Sequence, residues 1–314
     1  MRSILLVVVC GLSLGLAAVP AGAQVGVSDS QAEQASERGM ATSEATRRVT
    51  ALLLETLGDP AISAATSPNS LAAAVETKTQ AIADARAELA EISRNLSALP
   101  PISDASSPGV LQSIDRGARD ASTLALNADG ILEALQAVPE AVRTGNQARF
   151  DAAYRSVVSG AVLLHEAQAL IMRGHGALLE SSEPQSGQFA AMACFSDGQA
   201  AMQAGMSGLR ARDVAVTQMT AAETCMREQV ARGRSTMEAY AVSGAVPARL
   251  APLHEDMFNA ITEGADWLER VREALARGDN PAVIAANSNP AYSRIIARVQ
   301  EVTARQRQII ADQD

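Results

Sequence analysis

Apolar residues recur at steps of three and four along most of the chain, and Gly, Pro and small polar residues interrupt them at intervals. Val49, Leu52, Leu53 and Leu57 form the stripe of a helix predicted over 28–57, with Ser28 or Ser30 as its cap and Gly58-Asp59-Pro60 as its stop. Ser67-Pro68 opens a second helix, with serine as N-cap and proline at the first helical position. Val75, Ile82, Ala85, Leu89, Ile92, Leu96 and Leu99 are its core positions, and from Ile82 onward they form a heptad seam that ends at Pro100-Pro101. Ser107-Pro108 repeats the opening device. The third seam is Ile114, Ala118, Ala121, Ala125, Ala128, Leu132 and Leu135, whose alanines let two helix axes approach closely. A fourth helix over 146–179 places Phe150, Tyr154, Val157, Ala161, Leu164, Ile171 and Leu178 on one face.

Residues 182–187 are polar, aperiodic and rich in turn formers, which marks a linker. Beyond it, helices are predicted over 188–209 and 213–242, then one ending at Gly278 with the seam Leu250, Met257, Ile261, Leu268, Val271 and Leu275. Asn280-Pro281 and Asn289-Pro290 are further cap-and-proline signals. The last helix carries Tyr292, Ile295, Val299, Val302 and Ile309. The fold class expected is all-α. Eight helices divided by the linker suggest two antiparallel four-helix bundles, residues 24–181 and 188–314, with coiled-coil-like seams. One continuous array of eight helices is the alternative.

Composition agrees with helix. Period-two β-branched runs are missing, and aromatic residues are few, with one Trp, three Tyr and four Phe. The formal net charge is −9, Lys78 is the only lysine past the leader, and arginines are scattered. That distribution argues against nucleic acid and against an anionic membrane surface as partners. The N-terminus reads as a signal peptide over residues 1–23. Arg2 is followed by an apolar run from Ile4 to Leu16, too short to span a bilayer, then Pro20 and the cleavage site Ala21-Gly22-Ala23. Gln24 would begin the mature chain. No later stretch is apolar for long enough to cross a membrane, so a periplasmic or secreted product is expected.

Cys10 leaves with the leader. The remaining pair, Cys194 and Cys225, favours one disulfide in an exported chain. The two are 31 positions apart. In one unbroken helix that is roughly 46 Å, whereas a disulfide holds Cα atoms within about 7 Å. Pairing therefore demands a reversal near Ser207-Gly208 and makes the flanking helices an antiparallel hairpin.

Catalytic and metal motifs are scarce. Di-iron bundles need Glu-x-x-His pairs, but Val162, Met172 and Ala251 stand three before His165, His175 and His254. Ala169 stands where His165-Glu166 would need a second zinc-binding histidine. His165 and His175 lie about 15 Å apart along a helix axis, too far to share an ion. Covalent haem, phosphate-loop and nucleophile-elbow motifs are lacking. Glu255, Asp256, Glu263 and Asp266 read as a solvated face beside the packing anchor Trp267. Methionine offers one alternative. Met202 and Met206 share a helix face, and Met219 stands opposite them across the hairpin, where thioethers suit Cu(I) or haem. The same residues suit an irregular core poor in aromatics.

The function expected is therefore a non-catalytic interaction or structural module of the cell envelope, without a cofactor. Its partner would be another envelope protein or a second copy. The alternative is a bundle that binds a small ligand or metal (copper or haem) through the methionine-rich hairpin.

Overall fold

The computed structural model describes residues 28–57, 59–63, 65, 67–104, 106–178, 184–243 and 250–311. The expected leader and its cleavage site lie outside these residues. The described residues form α1 (Asp29–Leu57), α2 (Pro60–Ser63), α3 (Pro68–Thr77), α4 (Thr79–Ala98), α5 (Gly109–Gln136) and α6 (Val138–Arg143). They continue as α7 (Gln147–Leu178), α8 (Pro184–Ser207), α9 (Arg212–Ser243), α10 (Ala251–Arg277) and α11 (Pro281–Ala311). The chain is all-α, as the periodicity requires, and its helices pack against one another as a bundle-like fold.

The ends of the helices follow local chemistry. Ser28 accepts from the Gln31 backbone N–H at 3.3 Å while Gln31 accepts from the Ser28 N–H at 3.1 Å, closing a capping box. Ser67 and Ser70 do the same for α3. Asn146 Oδ1 accepts from Arg149 N at 3.0 Å and starts α7.

Four boundaries differ from the sequence pattern. The second predicted helix breaks at Lys78, where φ −111° and ψ 9° leave helical geometry and separate α3 from α4. Ser107 does not cap α5, because its hydroxyl turns back to Asp104, and Pro108 holds the N-cap position. Residues 184–187, assigned to the linker, form the first turn of α8. Pro290 lies inside α11 and does not begin a new helix.

Two large apolar cores hold the helices. One draws on α1, α3 to α5 and α7, through Val49, Leu53, Ile82, Leu89, Leu124, Leu132 and Leu164. The other draws on α8 to α11, through Met202, Met219, Phe258, Trp267, Leu268 and Val299. The seam of α7 against α8 joins them, with Val162 on Ala200 and Ala204, and Ala169 and Met172 on Ala193. Helix α8 lies among α7, α9 and α10, which explains its composition. Asp197 is its only charged residue, and glycines permit its close approaches. A Cβ on Gly187 would stand 2.9 Å from Gly233 Cα on α9, so backbone meets backbone there. At the turn into α9, Gly208 has φ +77°, a left-handed conformation that glycine adopts without steric cost. The reversal expected near Gly208 is observed.

Candidate functional site

The α8–α9 reversal brings Cys194 and Cys225 to disulfide distance, with Cα atoms 6.0 Å apart. Both line a groove of about 290 Å³ between α7 and α9, floored by α8. Helices α7 and α9 flank α8 and make no extended contact with each other, so the space above α8 stays open. Ala200 and Ala201 of α8 and Ala221 and Ala222 of α9 line it with small side chains. Arg210, at the hairpin turn, bridges the walls. Its Nη2 lies 3.6 Å from Glu166 Oε1 on α7, and its Nη1 donates to Gln218 Oε1 on α9. Farther along, Arg173 of α7 pairs with Asp197 of α8. Burial pushes the Asp197 carboxyl above its ordinary range; Arg173 opposes that shift and nearby Glu166 adds to it.

The α7 wall continues as an apolar rim. Leu163 and Leu170 stand three before and four after Glu166, hence on the same helix face. They are 47% and 51% exposed. Leu209, next to Arg210, is 43% exposed. The arrangement is a trough with a small-residue floor, leucines on one bank, and two charges of each sign. It matches the cross-section of a helix better than that of a compact polar substrate.

Met202, Met206 and Met219 all lie in the apolar core of α8 to α11, where they are 1%, 6% and 0% exposed. Leu268, Leu275 and Trp267 belong to the same cluster. His165 is fully buried on α7. His175 also lies on α7, and its side chain is outside the described positions. Among the described residues, no group of three or more His, Cys, Asp or Glu side chains is placed to hold a metal ion.

His254, which belongs to no metal or catalytic motif, is buried. It lies in α10, 2% exposed, with its Nδ1 3.0 Å from Gln188 Nε2 of α8. Burial disfavours the imidazolium and lowers the pKa from 6.5 to about 4. Between those values the unfolded chain takes up a proton that the folded chain excludes. The contribution of neutral His254 is therefore complete above pH 6.5 and drains away as the pH falls toward 4. Linkage then makes the fold about 2 kcal/mol less stable at pH 5 than at pH 7 through this one group. Urea unfolding at both pH values, in wild type and His254→Gln, checks this. The variant should lose that part of the slope, and an unchanged slope would count against a buried neutral imidazole.

The cysteine pair carries its own expectation. Oxidised, it closes a 31-residue separation. On the chain-entropy model its reduction should lower the unfolding free energy by about 3.5 kcal/mol. Non-reducing peptide mapping should recover Cys194 joined to Cys225; two free thiols in exported material would refute the pairing.

No protein-family model, curated protein or solved structure matches this chain.

Proposed function

We propose that the chain is a non-catalytic interaction module of the cell envelope, exported to the periplasm or beyond, which receives a helix of an envelope partner in the α7–α8–α9 groove. The carrying observation is the trough itself, open above a nearly charge-free helix and lined by alanines beside half-exposed Leu163 and Leu170. A helix laid there buries the leucines, and knobs of moderate size fit the hollows left by alanine. The cysteine clasp ties α8 to α9 and so fixes the floor and one wall. Among the described residues, no helix is long and apolar enough to cross a membrane, which suits a module that meets its partner in water.

A photoreactive residue at Ala221, inside the groove, and another at Thr123, exposed on α5, test this in the native cell. Crosslinking to one partner should occur from Ala221 and not from Thr123. It should be lost when Leu163 and Leu170 are both changed to Glu. Equal capture from both positions, or none from Ala221, would remove the groove from consideration.

A further inference from the structure

A second hollow, of about 210 Å³, lies between α10 and α11 and shares no lining residue with the groove. Its apolar lining comes from Val271, Ala274, Val283, Ile284 and Ala291, of which Val283 is 53% exposed, and it is backed by Trp267, which is 1% exposed. The chain holds only one Trp, three Tyr and four Phe, and three of these meet behind it. The Trp267 ring centroid is 4.9 Å from that of Tyr292 and 5.8 Å from that of Phe195. Two hydrogen bonds fix the cluster. Trp267 Nε1 donates to the Ser288 carbonyl at 3.1 Å, and Gln199 Nε2 donates to the Tyr292 hydroxyl. An indole locked in this way makes a rigid wall, which spares a ligand part of the ordering cost of binding.

The rim carries two arginines and one carboxylate, Asp279. Arg270 and Arg277 both line the hollow, one heptad apart on α10 and so on the same face. Arg277 is engaged by Asp279 at 3.1 Å. Arg270 is exposed and forms no ion pair with any described residue, so its guanidinium is available. A planar guanidinium fork matches a carboxylate. The volume lies below the roughly 300 Å³ at which drug-sized sites begin, which limits the occupant to one ring or a short chain. The geometry points to this hollow as a binding site for a small monocarboxylate with an apolar body, its carboxylate on Arg270 and its body against Ala274, Val283 and Ala291 in front of Trp267.

Trp267 is the only tryptophan, so its fluorescence reports this hollow without interference. The oxidised full-length chain is titrated with phenylacetate, with benzyl alcohol (no charge) and with acetate (no apolar body). Equilibrium dialysis of labelled phenylacetate runs alongside and decides the matter if the fluorescence is silent. Phenylacetate should bind saturably, and more tightly than either comparison compound. Arg270→Gln should weaken it by about tenfold, the loss of one charge-assisted contact. Arg294→Gln, an exposed arginine of α11 outside the hollow, should leave it unchanged. Absence of saturable binding, equal affinity for benzyl alcohol or acetate, or an Arg270→Gln chain that binds as wild type would each overturn the assignment.

Discussion

Arg38→Met should lower the unfolding free energy by about 3–5 kcal/mol, the cost of leaving one charge of a buried pair alone. Arg38 of α1 and Asp115 of α5 have side chains only 9% and 4% exposed, with Arg38 Nε 3.0 Å from Asp115 Oδ1. The remaining guanidinium nitrogens donate to the carbonyls of Leu99 and Pro100, just past the end of α4. Asp115 Oδ2 accepts from the Ser103 N–H at 3.0 Å, its hydroxyl at 2.6 Å and the Ile102 N–H at 3.2 Å. One pair thus ties together α1, α5 and the segment that leaves α4. Methionine fills the space of the stem but abandons two carbonyls and the carboxylate.

Arg38→Lys should recover only part of the loss, because one ammonium cannot reach in all the directions of the fork. Changing Asp115 to Asn as well should make the double variant more stable than Arg38→Met alone, since the charge is removed while an amide oxygen still accepts from Ser103 and Ile102. Urea unfolding followed by circular dichroism reads all three. A change below about 0.5 kcal/mol in Arg38→Met, the size of an ordinary surface substitution, would mean that the pair is hydrated in solution.

Such a pair is invisible to a periodicity reading. The seams were legible because their signal repeats: Ile114, Ala118, Ala121, Ala125, Ala128, Leu132 and Leu135 are all buried, as their spacing requires. The same holds for the seam from Leu250, the N-cap of α10, to Leu275. Arg38 continues the buried stripe of α1 through Thr42, Thr46, Val49 and Leu53, but an arginine followed by threonines at those positions reads as a polar face, so nothing in residue type distinguishes it from Arg47 or Arg48. Helix α8 was expected over 188–209 and is found at Pro184–Ser207, but which of its faces is buried was not legible, for the opposite reason. It touches helices on three sides, so apolar and small residues surround it and its stripe disappears. Its glutamines find partners far along the chain, Gln188 on His254 at a separation of 66 and Gln199 on Tyr292 at 93. The cysteine hairpin was legible because two chemical facts, a pair of sulfurs and a glycine between them, left one geometry. The groove was not, since it arises from α7 and α9 flanking α8 without meeting, which no single helix encodes.

Met202→Ala combined with Met206→Ala should destabilise the chain by at least about 4 kcal/mol, since each buried large-to-small change costs about 2–5 kcal/mol. Both side chains sit in the core of α8 to α11 with Met219, where alanine leaves cavities that packed helices cannot close. The informative companion is Met202→Leu with Met206→Leu. Leucine restores the volume and removes the sulfur, so under a packing role each change costs less than about 1.5 kcal/mol. Under a Cu(I) or haem role the leucine chain loses its metal as completely as the alanine chain, because neither residue supplies a thioether. Unfolding free energies and metal content by mass spectrometry, measured on wild type and both double variants from an export-competent host, separate the two. A packing role predicts that leucine is close to wild type, that alanine is severely destabilised, and that metal is substoichiometric throughout. A mole of copper or haem per wild-type chain, absent from the leucine variant, would transfer these methionines from the core's packing to a metal centre and displace the interaction-module reading.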